Sequence, residues 1–67
     1  MNWINVKDKL PEVDNEFLLY TFGSSWQEKS KAGFIDLGRY RGGKWVDRYC
    51  TELWVTHWCE LPVVPDN

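Results

Sequence analysis

Sixty-seven residues make one small domain, 1–67, and a net charge of −2 lacks the basic excess of a protein that holds duplex nucleic acid through its phosphates. Five Trp, three Tyr and three Phe give 16% aromatic content, which excludes a disordered chain; the length excludes a separate cofactor-binding domain. A domain this small buries only about 60% of the surface its unfolded chain exposes, so rings that each remove roughly 150–250 Å² from water stand in for a larger aliphatic core.

Short apolar runs separated by turn residues carry an all-β pattern. Residues 3–6 form a first short strand. Pro11 lacks an amide and biases Leu10 to an extended conformation, and Asp14-Asn15 is a turn pair. Residues 16–22 are the clearest strand. They are apolar on both faces, as a central strand covered on both sides requires. Residues 23–30 form a loop, with room for a single helical turn. Residues 31–47 form a hairpin closed by Gly42-Gly43, a pair that tolerates the positive φ angles of a type I′ turn. That closure sets Arg41 opposite Lys44, Tyr40 opposite Trp45, Arg39 opposite Val46 and Gly38 opposite Asp47. Ile35 and Leu37 then fall on the face of Arg39 and Arg41, a mismatch that a bulge near Gly38 would cure. Residues 53–58 form the last strand, and 61–65 form an extended, polyproline-like tail. The expected architecture is a single antiparallel sheet of about five short strands, a meander or small barrel-like sheet with little or no helix.

Charge is unevenly placed. Residues 1–28 hold two bases and five acids, 29–49 hold six bases and two acids, and 50–67 hold three acids and no base. The basic middle is read either as a rim paired with acidic neighbours or as a contact surface. Residues 3–6 are too interrupted for the apolar stretch of a secretory leader, and no run approaches the ~18 apolar residues of a membrane span. A cytoplasmic location, with Cys50 and Cys59 reduced and no membrane contact, is the expectation.

Two end motifs resemble a known family. Trp3-Ile4-Asn5-Val6, running on to Leu10-Pro11, is similar to the opening W-I-x-V-x-x-x-L-P of the phage and prophage family called domain of unknown function 551. Val55-Thr56-His57-Trp58, running on to Leu61-Pro62, is similar to its closing V-T-H-W-x-P-L-P. Tyr40-Arg41-Gly42-Gly43-Lys44-Trp45 resembles its Gly turn followed by Trp. Glu60 departs from the family's usual Pro, and 63–65 is less proline-rich than the family's tail. The resemblance implies a phage or prophage accessory protein in the bacterial cytoplasm. It implies no reaction and no catalytic residues. Trp3, Leu10, Pro11, Tyr40, Trp45, His57, Trp58 and Pro62 are read as its structural motif, with Leu10-Pro11 and Leu61-Pro62 capping a core that holds Trp3 and Trp58.

Candidate chemistry is sparse. Cys50, His57 and Cys59 are zinc-ligand types, but Cys-x₆-His-x-Cys is not a known finger spacing. No metal and no cofactor are expected. A Cys–His nucleophilic pair lacks a third orienting group and a helix terminus to activate the thiol. His57 is instead read as a strand histidine bonded to a backbone carbonyl. Glu12, Asp14 and Glu16 are read as solvated rather than as an acid–base pair. No phosphate-cradling Gly loop is present. The chain is therefore read as a non-enzyme.

The candidate contact surface gathers Trp26, Lys29, Lys31, Arg39, Arg41, Lys44 and Arg48, with Tyr40 and Trp45 between them. Trp26 lies in a polar loop that no alternating pattern buries. Two functions stay open. The first is a non-catalytic accessory protein that binds a protein of host or phage origin, for example inhibiting a host defence or host enzyme. The second is a small module that stacks and neutralises single-stranded nucleic acid on the basic hairpin 29–49. Unpaired sheet edges leave a homo-oligomer open as well.

Overall fold

The computed structural model of the chain describes residues 2–62, and the expected polyproline-like conformation of 63–65 lies outside the described residues. Five strands form one antiparallel sheet: β1 (Ile4–Asn5), β2 (Phe17–Ser24), β3 (Phe34–Arg41), β4 (Lys44–Asp47) and β5 (Leu53–Glu60). They lie side by side in the order β1-β5-β2-β3-β4. The loop between β2 and β3 makes turns but no helix. Gln27 N donates to Ser24 O at 3.1 Å and Ser30 N to Phe22 O at 2.9 Å.

The β3–β4 hairpin has the register its turn dictates, with Arg41 opposite Lys44, Tyr40 opposite Trp45, Arg39 opposite Val46 and Gly38 opposite Asp47. Gly42 and Gly43 take φ of 57° and 79°, as a type I′ turn demands. The bulge expected near Gly38 is absent, because the β2–β3 and β3–β4 ladders run through without a register shift. The mismatch is resolved by exposure instead: Ile35 lies open on the same face as Arg39 and Arg41. Gly38 has a different use. A Cβ there would fall on the Val46 carbonyl oxygen and the Leu19 side chain, so its missing side chain lets the sheet coil tightly over Leu19.

The bulges lie between β2 and β5. The register shifts between Tyr20 and Thr21, where Tyr20 faces His57 but Thr21 faces Val55, and again between Thr21 and Ser24. Such irregularities bend a sheet and increase its twist. The bend brings β4 back to the chain just before β5. Val46 forms a bridge with Glu52, and Asp47 N donates to Thr51 O at 3.0 Å. Since β2 occupies one edge of β5 throughout, β4 and β1 share the other, β4 at its start and β1 near its end. The sheet is thus a partly closed barrel, joined through one bridge among the described residues.

Alternation separates the two faces. Phe17, Leu19, Trp45, Leu53 and Trp58 are buried inside, with Ile4, Val6, Tyr40 and Val55 packed against them. Phe17 meets Trp58 edge-on at 5.0 Å, and Trp45 lies 4.8 Å from Tyr40 and 6.2 Å from Trp58. On β2 the expectation of cover on both sides holds for one side only. Leu18, Tyr20 and Phe22 are half-buried on the outer face, because no second layer crosses it.

The capping expectation for the end motifs also needs correction. Ile4, not Trp3, stands opposite Trp58. Trp3 packs on the outer face against Tyr20 at 6.3 Å. Trp58 is inside, and its indole N–H donates to Lys9 O at 2.9 Å, so the strap from β1 to β2 does cover it. Pro11 is half-buried in that strap, whereas Leu10, Leu61 and Pro62 are exposed and cap nothing. A strand pairing of two residues at each end decided which ring entered the core, and proline position did not.

Candidate functional site

The seven residues of the candidate contact surface do not form one patch. Consecutive strands run antiparallel, so the β2–β3 loop and the β3–β4 turn lie at opposite ends of β3. The seven steps of that eight-residue strand separate them by roughly 23 Å at a strand rise of about 3.3 Å per residue.

At the hairpin end, Arg39, Arg41 and Arg48 line a concavity of about 270 Å³ together with Glu16, Val46 and Asp47. Two of its arginines are paired from outside it: Asp14 accepts from Arg39 at 3.4 Å and from Arg41 at 3.1 Å, so the paired-rim reading of the basic middle holds for these two bases. These groups are exposed, so the pairs order the strap rather than hold the fold together. Lys44 stands exposed beyond Arg41. Tyr40 and Trp45 do not interleave with these bases. They occupy the opposite face and belong to the core.

At the other end, Lys29 lies over the Trp54 ring at 4.9 Å. The Trp54 indole N–H donates to Gln27 O at 3.0 Å. Lys31 is exposed. Trp26 is different in kind: it is 73% exposed at the tip of the turn that follows β2. Ser25 N donates to Glu52 O at 2.8 Å, which sets this turn beside the β4–β5 turn and its own exposed ring, Tyr49. Phe34 and Ile35, at the start of β3, are also exposed.

Tyr49 was not foreseen. Asp47 accepts from the amides of Tyr49 and Thr51, both at 2.9 Å, folding 47–51 into a tight loop that points the ring outward. The Asp was the legible signal for that turn. Ile35 was missed because a bulge near Gly38 was expected to turn it inward, whereas the ladders run through without a shift and leave it exposed.

The cysteines and histidine stay apart in role. Cys50 is exposed in the β4–β5 turn, whereas Cys59 is buried, and both are free. Burial pushes the Cys59 thiol above its ordinary pKa. His57 and Cys59 point to the outer face, opposite Tyr20 and Leu18. His57 Nδ1 lies 2.9 Å from Thr56 Oγ1, so its partner is a neighbouring hydroxyl and not the backbone carbonyl expected. Among the described residues no three His, Cys, Asp or Glu side chains gather as metal ligands, and no helix is long and apolar enough to cross a membrane.

A small, partly closed antiparallel barrel with exposed aromatic side chains at its turns defines a compact all-β domain. The chain belongs to the family described as protein of unknown function (DUF551), whose model matches residues 2–66. No curated protein and no solved structure matches it.

Proposed function

We propose that this chain is a non-catalytic accessory protein of phage or prophage origin. It works in the cytoplasm of the bacterial host by binding a protein of host or phage origin, and inhibition of a host defence or host enzyme is the kind of outcome such binding has. The observation that carries this reading is Trp26. A tryptophan 73% exposed at a turn tip keeps a large apolar ring in water with no structural return, and Trp is among the residues that most often anchor a protein interface. Phe34, Ile35 and Tyr49 add exposed apolar surface on the same sheet.

Single-strand binding on the hairpin has less support. It needs rings and bases interleaved on one face, whereas Tyr40 and Trp45 pack inward and Asp14 engages two of the arginines.

The test is capture from host lysate, with and without nuclease treatment, using the wild-type chain and Trp26→Ser. A stoichiometric protein partner recovered by the wild-type chain and lost by the variant supports the proposal. Recovery of nucleic acid instead, in a complex that weakens steeply with salt and is lost on Arg41→Glu or Lys44→Glu, would replace it with the nucleic-acid reading.

A further inference from the structure

The outer face of the β3–β4 hairpin already holds one carboxylate, and that contact shows what its arginines accept. Arg39 and Arg41 stand two residues apart on β3, so both project from the same face. Asp14 reaches them from the strap before β2 and bridges the two. Arg41 Nε donates to Asp14 Oδ2 at 3.1 Å and to Oδ1 at 3.3 Å, and Arg39 Nη1 donates to Oδ1 at 3.4 Å. Charge-assisted bonds between these groups are strongest at about 2.7–2.9 Å, so Asp14 is a loose occupant. The side chains of Arg39, Asp14 and Arg41 are 41%, 53% and 56% exposed, and an ion pair so open to water contributes little to stability. Another carboxylate can therefore take its place.

Beside this pair the surface is hollow. Arg39 and Arg41 also line the concavity of about 270 Å³, where Arg48 supplies a third guanidinium. Two carboxylates share its wall, Glu16 and Asp47. Asp47 is committed to the β4–β5 loop, since its Oδ1 accepts from the amides of Tyr49 and Thr51. Three positive charges against two negative ones leave a surplus of one in the wall, which is the charge that a single carboxylate neutralises. Asp14 stands outside the concavity and meets that surplus from one side.

This balance separates the anions that could enter. A phosphate monoester carries about −1.5 to −2 charges at neutral pH, more than the surplus, and would lie close to Glu16 and Asp47. A nucleic-acid strand also needs rings set among the bases, and Tyr40 and Trp45 pack on the core. An acidic protein segment meets neither obstacle. Its carboxylates are singly charged, they repeat the chemistry of Asp14, and the planar guanidinium fork matches them with paired donors.

We propose that the Arg39–Arg41–Arg48 concavity binds an acidic segment of the protein partner, one of whose carboxylates displaces Asp14 from Arg39 and Arg41. Asp14 is then a built-in competitor that covers the arginines until the segment arrives. The proposal rests on the partner being a protein, but not on Trp26. Its test is an NMR titration of the labelled chain with a short oligoglutamate peptide at fixed ionic strength, which holds the screening constant. Oligoglutamine of equal length and inorganic phosphate are titrated alongside. Saturable shifts of the Arg39, Arg41 and Arg48 Nε–H signals are expected with oligoglutamate, none with oligoglutamine and weaker ones with phosphate. Asp14→Asn removes the competitor and is expected to tighten oligoglutamate binding about threefold, in keeping with an exposed ion pair. Arg41→Glu is expected to abolish it. Asp14 and Arg41 are both exposed, so neither substitution opens the core, and the wild-type titration needs no variant. No shift with oligoglutamate, shifts that fall elsewhere, equal shifts with oligoglutamine or unchanged affinity in Asp14→Asn would overturn the proposal. Tighter binding of phosphate than of oligoglutamate would overturn it in favour of a phosphate site. Trp26→Ser is expected to leave the titration unchanged, so failure of this site and failure of the Trp26 interface are read separately.

Discussion

The two thiols differ in environment although they stand only nine positions apart. Cys50 is exposed and sits at φ 65°, a left-handed conformation that costs a non-glycine residue about 1–2 kcal/mol. Cys59 is buried against the outer face of β2 and its thiol is shifted up by that burial. An alkylating reagent is expected to modify Cys50 rapidly in the folded protein and Cys59 only after unfolding, which mass spectrometry of the labelled chain reads directly. The raised thiol also sets a pH dependence. Because the unfolded chain ionises first, the stabilisation is complete below the ordinary thiol pKa and is lost as pH rises through the higher folded value. Urea midpoints are therefore expected to fall on the alkaline side, and less so in Cys59→Ala. Both cysteines were visible in the sequence, but their difference was not. Burial of Cys59 follows from its position opposite Leu18, a tertiary pairing.

At the scale of elements, the hairpin was the most legible part of the chain. Two adjacent glycines flanked by alternating residues define a turn type and hence every cross-strand pair, and those pairs were all realised. The β2–β5 ladder was the least legible, because its register shifts depend on contacts between residues about thirty or more positions apart. Thr21 shows how they are held. It is fully buried, its hydroxyl donates to Trp54 O at 2.6 Å, and the same oxygen accepts from Gly23 N at 3.2 Å. Thr21→Val keeps the shape and leaves both groups unpaired. A loss of about 1–3 kcal/mol is expected, measured by denaturant unfolding, together with a shifted Trp54 indole resonance as its strand loosens.

Over the whole molecule, stability on the order of 0.05–0.15 kcal/mol per residue leaves little margin for damage to the core. Trp58 is inside, in contact with Phe17 and Trp45, and removing such a ring costs about 3–5 kcal/mol. Trp58→Ala is expected to unfold most of the population at 37 °C, seen as loss of the cooperative thermal transition. Trp26→Ser touches no packed surface and is expected to change stability by no more than about 0.5 kcal/mol. That contrast separates Trp58, whose ring the fold needs, from Trp26, whose exposed ring it does not.

The aromatic richness, the alternating runs and the turn glycines were enough to establish from sequence an all-β chain of five strands with an exposed Trp26. They act locally, through side-chain period and backbone freedom, and local physics is what a sequence displays. Which rings share the core, where the ladder shifts, that β4 returns to β5, and which acid meets Arg39 and Arg41 were decided only in three dimensions. Each depends on pairing between distant segments, and a shift of one residue in such a pairing moves a side chain from one face of the sheet to the other.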